Sequence, residues 1–348
     1  EANEELQKLI KIQPKHSILH YNLALTYAQM GMMTKAHNHF ILSYHLDAQN
    51  YLSGVYAVMS AQLIDKDVGK LKEILKDSIS SEEPSEEREL YTTLLNISQN
   101  NYISSIEWLD NDYKQRPLYL YMNTLIASKL NKVDFAKTAS RKLTAMLPHD
   151  ILAHIIYIDS EFYDLKENDY ASKVLNYLKK QDFNFQNLYY GPYISRYLYI
   201  QQNLITGKLF FLEQQLEKVL QETNGDAEEL MSSLAMVYLY NKDFEKAYTL
   251  YNSLIDDIKM RDAFTLFLGA VASTAANHHE NAIALLELAN LKDRSFAESR
   301  FALGLLYLEV KNNDAAGIQL AHIQQDRFFS KYFDFAIDVD KLFFMEGK

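Results

Sequence analysis

The chain has no cysteine in 348 residues, which removes disulfides, thiolate metal ligands and a cysteine nucleophile together. A chain without thiols is indifferent to redox conditions, so this absence assigns no compartment. Proline (5) and glycine (10) are scarce, as befits a chain that is helical nearly throughout. Positive charge is in deficit, with 35 Lys and Arg against 46 Asp and Glu, a net charge of −11 and a pI of about 5.4. Nucleic acid and anionic membrane surfaces both require clustered positive charge, so neither is expected as a main partner. No apolar run reaches about 18 residues and no signal-peptide pattern is present, so these residues neither span a membrane nor carry an export signal. Hydrophobic residues make up 48% and charged residues 23%, a balance that excludes long disorder.

What is present is a repeat. Ala247, Ala282 and Ala316 are separated by 35 and 34 residues. At thirteen, twelve and nine before the first of them stand Leu234, Ala235 and Tyr238, with Tyr251 and Leu254 at four and seven after. The same offsets carry Gly269, Ala270, Ser273, Leu286 and Ala289 around Ala282, and Leu303, Gly304, Tyr307, Leu320 and Ile323 around Ala316. Small residues facing each other let two helices approach, and the larger ones fill the space between them. This pattern resembles the tetratricopeptide repeat, a helix–turn–helix unit of about 34 residues. The resemblance implies an all-α, right-handed solenoid of roughly nine helical hairpins over residues 1–323, with a C-terminal capping helix in the aromatic segment 324–348.

The pattern is most regular from 227 to 323 and least regular from 51 to 112. Ala2, Leu6, Leu9 and Pro14 match the second half of a unit, so the chain is expected to enter mid-repeat, as a piece of something longer. A well-formed unit follows at Ala36. In the next one Lys70 takes the small-residue position, and it should open more easily than the block after 227. The acidic stretch SSEEPSEERE at 80–89 reads as a solvated loop, with Ser85 and Glu86 starting a helix. The only tryptophan, Trp108, is expected in a second helix, as core. Units return at Ala136 and Ala171, and a further one turns at Gly207 with Leu212, Leu216 and Val219 inward.

No catalytic, cofactor or metal arrangement has the required context. There is no phosphate-binding glycine loop, no nucleophile elbow and no His-Glu-x-x-His pair. His16, His20, His37, His39 and His45 cluster, but no carboxylate spacing completes a ligand set. His278, His279 and Glu280 fall on a turn. Lys129, Lys132, Lys137, Arg141 and Lys142 read as a solvated face or a local docking patch. Some relatives of this repeat clamp a partner's terminal carboxylate with a Lys and an Asn, but Tyr21 and Leu25 stand in those places.

The first helices line the inner face of such an array. Position fifteen before each reference residue includes Tyr21, Tyr121, Tyr197, Phe267 and Phe301, and position eleven before includes Val271 and Leu305. These seven are the candidate partner-binding residues, either as a groove for an amphipathic helix or as packing between neighbouring first helices. The expected function is a non-enzymatic interaction scaffold. The alternative is an adaptor or regulator that docks a helix or peptide of an enzyme or chaperone. The whole chain, rich in Tyr, Asn, Lys and Ile, also resembles the periplasmic repeat region of the paralysed-flagellum proteins of Campylobacter-type bacteria. That resemblance implies a periplasmic scaffold of the flagellar motor, anchored to the membrane through upstream sequence, which joins a sister repeat protein in support of motility. A cytoplasmic location is the alternative.

Overall fold

The computed structural model describes residues 2–64, 66–110, 116–181, 192–222, 228–294 and 296–323. Among them every regular element is helical. They are α1 (Ala2–Ile12), α2 (Ser17–Gln29), α3 (Met33–Leu46), α4 (Tyr51–Leu63), α5 (Gly69–Ser81), α6 (Glu86–Ser98), α7 (Pro117–Lys129), α8 (Val133–Met146) and α9 (Ile151–Phe162). They continue as α10 (Glu167–Leu178), α11 (Tyr193–Ile205), α12 (Leu209–Glu222), α13 (Glu228–Asn241), α14 (Phe244–Asn252), α15 (Ala263–Ala275), α16 (His279–Lys292), α17 (Ala297–Glu309) and α18 (Asn313–Ala321). A 3₁₀ helix, Ile103–Asp110, lies between α6 and α7, and α14 runs on into a π-helical turn, Ser253–Asp257. The chain divides into two compact units, Glu1–Leu250 and Tyr251–Lys348, with the boundary inside α14. The expected capping segment, 324–348, lies outside the described residues.

One backbone bond closes hairpin after hairpin. As a first helix ends, a residue turns left-handed and the following N–H reaches back five residues to a carbonyl, satisfying an acceptor the helix leaves open. The left-handed turn and its bond run from Met32 to Tyr27, Asn101 to Asn96 and Lys132 to Ala127, and Lys66 N–H reaches the same five residues back to Ala61, all at 2.8 to 2.9 Å. It recurs from Lys208 to Asn203, Asp243 to Tyr238, His278 to Ser273 and Asn312 to Tyr307, at 2.7 to 2.9 Å. The left-handed residues include Gly31, Asn131, Gly207 and Asn277, which tolerate that region, and Lys242 and Lys311, which bear its steric cost of about 1 kcal/mol or more. Between α9 and α10 the closure is missing. Tyr163 and Lys166 at the ends of that turn have negative φ, and Leu165 bonds only three residues back, to Phe162.

Packing within the hairpins follows the small-residue rule. Ala36, Ala247, Ala282 and Ala316 are fully buried. A Cβ on Gly269 would lie 2.7 Å from Ile255 Cδ1, and one on Gly304 2.8 Å from Leu320 Cδ2, so the facing side chain would have to shift to admit it. In the α4–α5 pair the small residue changes sides. Gly54 on α4 admits Leu75 of α5, whose Cδ2 a Cβ would meet at 2.6 Å, and this offsets Lys70. Within Glu1–Leu250 the chain also returns on itself, since a Cβ on Gly31 would meet Tyr193 of α11 at 2.9 Å.

One expectation needs correction. Trp108 is core, buried and set edge-on to Tyr119 with centroids 5.2 Å apart, but it sits on the 3₁₀ helix rather than on an α-helix. Ser104 N–H donates to Asn101 Oδ1 at the start of that short helix. The unit from 51 to 79 is packed unevenly. α4 buries seven residues from Ser53 to Ala61, whereas α5 buries only Leu75 and Ile79. α10 is looser still, with Val174 alone buried, while α13 buries nine residues from Leu230 to Leu239. Amide hydrogen exchange is therefore expected to be faster in α5 and α10 than in α4 and α13. Equal protection in all four would contradict this packing.

Candidate protein-docking face

The first helix of each hairpin carries the candidate residues, and their burial is not uniform. Phe267 on α15 is fully buried, edge-on to Phe296 at 5.2 Å and beside Phe264 at 6.4 Å, so its ring offers no surface to a partner in this conformation. Val271, Phe301 and Leu305, in the same compact unit, are half-buried. Tyr21, Tyr121 and Tyr197 are half-buried as well, but the structure sets them among different neighbours. Tyr121 Oη donates to Asp150 Oδ1 at 3.1 Å, and burial, reinforced by that carboxylate, holds its pKa well above the ordinary phenol value. Tyr197 stacks on Tyr193 at 6.1 Å.

Tyr21 belongs to a larger arrangement. Its ring stacks on Tyr56 of α4 at 6.3 Å with planes 10° apart, and Phe40 lies 6.0 and 5.5 Å from the two. Tyr91 of α6 continues the row and packs on Tyr51 at 5.7 Å. Burial pushes Tyr21 up to about 12, and the nearby Tyr56 and Tyr91 hydroxyls add to the effect. Tyr51 is pushed up to about 12 mainly by the hydrogen bond it donates to Glu82 Oε1 at 2.6 Å. Tyr56 and Tyr91 were not among the candidates. The signal was in the spacing: 21, 56 and 91 are 35 apart, but a register anchored on alanines passes over α4 and α6.

Three of the clustered histidines, His20, His37 and His39, serve the fold. His20 Nε2 donates to the Pro14 carbonyl at 3.0 Å, which leaves Nδ1 to accept from His39 Nδ1–H at 2.9 Å. His154 repeats the device, donating to the Pro148 carbonyl at 3.0 Å and accepting from Tyr177 Oη at 2.6 Å. His37 Nδ1 donates to the Ala57 carbonyl at 2.9 Å. Burial holds His37, His39 and His154 below the ordinary imidazole value. The unfolded chain thus takes up protons near pH 6.5 that the folded chain refuses, so their contribution is complete above that pH and is lost as the pH falls through and below it. The urea midpoint is expected to be lower at about pH 5.5 than at about pH 7.5. A midpoint constant over that range would refute the neutral-histidine packing. Among the described residues no group of three or more candidate metal ligands comes together.

A few ion pairs tie helices together. Arg141, from the basic stretch, pairs with Glu161 at 2.7 Å, and Lys132 lies over the Phe135 ring. His278 precedes α16, and His279 and Glu280 open it, so the expected turn is the helix start. The densest network lies between α12, α13 and α14. Lys246 Nζ reaches Glu213 Oε1 and Glu217 Oε1, each at 3.1 Å, and Glu213 is buried. Asn241 donates to the other Glu213 oxygen, and Tyr238 Oη donates to Glu217 at 2.8 Å.

The paired helices, the small residues at their crossings and the turn bond, which recurs at 34 or 35 residues from Met32 to Asn101 and from Lys208 to Asn312, define an all-α solenoid of tetratricopeptide-type hairpins. No family model matches the chain. No curated protein matches it either. Among solved structures it is similar to yeast Tom70, with 11% identity over 92% of this chain and 87% of that one and a TM-score of 0.40. It is similar to a tetratricopeptide repeat protein from Parabacteroides merdae, with 11% identity over 93% of this chain and 95% of that one and a TM-score of 0.37. A third likeness is to Naa15/Naa10 bound to HypK-THB, with 14% identity over 94% of this chain and a TM-score of 0.31. The chain spans 61% of the length of that last chain.

Proposed function

We propose that the chain is a non-enzymatic scaffold for protein–protein assembly. The observation that carries this reading is the row of half-buried tyrosines on successive first helices, Tyr21, Tyr56 and Tyr91. Aromatic side chains held in place by their neighbours bind through contact area at small entropic cost, and they need no reacting group. The finer reading rests on the family resemblance: a periplasmic component of the flagellar motor, of the kind of the paralysed-flagellum B protein, that joins a sister repeat protein and helps place stator units. The acidic surface and the repeat architecture are compatible with it.

The test uses a flagellated host that carries the gene. The chain is tagged at its native expression level, cross-linked in cells and isolated with its partners, and a deletion strain is scored for swimming. Stoichiometric motor proteins together with lost motility support the finer reading. An enzyme or chaperone as the stoichiometric partner would replace it by the adaptor reading. Isolation of the chain alone would overturn the scaffold itself.

A further inference from the structure

We infer that the tyrosine row of α2, α4 and α6, edged by Glu82, Glu86 and Glu87, receives a cationic amphipathic helix of a partner protein. The inference rests on the scaffold reading and names the partner's chemistry.

Geometry supplies the first argument. Three tyrosines from three consecutive first helices form one aromatic strip, with Tyr21 and Tyr56 stacked and Tyr91 held against Tyr51. All four are half-buried, so their rings are fixed by packing yet partly open. Among the described residues no protein group shares a hydrogen bond with the hydroxyls of Tyr21, Tyr56 or Tyr91. The strip is therefore apolar along its rings and carries hydroxyls free to bond an incoming side chain, the mixture typical of a protein-binding surface.

Charge supplies the second. Residues 82–89 hold five glutamates and one arginine, and Arg88 Nη1 is spent on the Glu82 carbonyl at 2.7 Å. Glu82 accepts from Tyr51, at the end of the row, and Glu87 raises the pKa of Tyr91 after burial. Glu86 accepts from Tyr119, beyond α6, where Arg116 lies over the ring. Among the described residues none of Glu82, Glu83, Glu86 and Glu87 has a cationic side chain as an ion-pair partner. Exposed carboxylates beside tyrosine faces select lysine and arginine twice, through Coulomb attraction and through the ring quadrupole. An acidic segment is repelled, and so is a second copy of this chain, whose net charge is −11. A helix that places large apolar residues at i, i+3, i+4 and i+7, with Lys and Arg along the flank, satisfies both halves of the surface.

The full chain is titrated with three labelled peptides of about 20 residues, long enough for such a helix. One is a Leu-rich amphipathic helix with Lys and Arg on its polar face, the second carries Glu there, and the third scrambles the cationic sequence to abolish the apolar stripe. Fluorescence anisotropy is expected to show binding of the first alone, weakening as salt rises from about 50 to about 200 mM. Tyr56→Ala is expected to weaken it roughly tenfold or more, the scale of an aromatic anchor. Because Tyr56 is partly packed, the solvent-exposed pair Glu82→Gln with Glu87→Gln is tested in parallel, with folding followed by circular dichroism. That double variant is expected to weaken binding several-fold and to flatten the salt dependence. Equal binding of the scrambled or acidic peptide, no binding of any peptide, unchanged affinity in the folded variants, or self-association through this face would each overturn the inference. If partners cross-linked in cells are retained undiminished by both variants, the docking site is wrong while the scaffold reading stands.

Discussion

Replacing Phe267 by Ala is expected to destabilise the Tyr251–Lys348 unit by about 3 to 5 kcal/mol, the cost of truncating a fully buried aromatic side chain. The ring is inaccessible to solvent and sits edge-on to Phe296 with Phe264 alongside. Its removal leaves a void beside the Phe296 and Phe264 rings. Phe301, half-buried on α17, is the internal comparison: its truncation forfeits less area and is expected to cost roughly half as much or less. Chemical denaturation of both variants decides the matter. A loss below about 1 kcal/mol at Phe267 would mean that its ring is not part of the core.

The second large effect is expected at Lys246. Glu213 is buried with its two oxygens directed at Lys246 and Asn241, so Lys246→Met strands a carboxylate with one neutral donor. Breaking a buried pair from one side costs about 3 to 5 kcal/mol, and since Lys246 is itself half-exposed the expected loss is about 2 to 3. Adding Glu213→Gln should recover much of it, because the stranded charge is then removed. No recovery in the double variant would show that the lysine acts by packing over the Tyr238 ring, 4.8 Å away, rather than by its charge. The network is also pH-dependent. The hydrogen bond from Tyr238, followed by the one from Lys246, holds Glu217 below the ordinary carboxylate value, so its share of stability is full above about pH 4.5 and is lost as acid protonates it.

The hairpins were legible in the sequence wherever alanine or glycine marks a helix crossing. Ala36, Ala247, Ala282 and Ala316 are fully buried at those points. Legibility failed where the same physical condition is met by other means. Gly54 supplies the needed space from the opposite helix, and no rule written on the second helix detects it. At Ala171 the error ran the other way, since the alanine is present but only half-buried. The turn before it places no residue in the left-handed region, and without that closure α10 packs only Val174 firmly. The inner face was half legible. Tyr21 and Tyr121 follow from the register, but whether each hydroxyl is spent, as Tyr121's is on Asp150, depends on neighbours some thirty residues away. Phe267 and Phe301 occupy equivalent places in their repeats and differ fully in access.

The recurring turn bond also bears on how such a chain changes length. The donors His278 and Asn312 stand at equivalent points, each one residue after a left-handed turn and each bonded five residues back. Excising residues 278–311 would join Asn277 directly to Asn312, one left-handed residue to a donor already set for the same bond. α15 would then lead into α18 with Ala316 where Ala282 had been, and no turn would have to be reinvented. Duplication of the same block inserts a hairpin with equal economy. Growth and loss by whole blocks is thereby open to this array, whereas gain or loss of a single residue inside a helix rotates every later side chain of that helix by about 100° and takes its apolar stripe off the core.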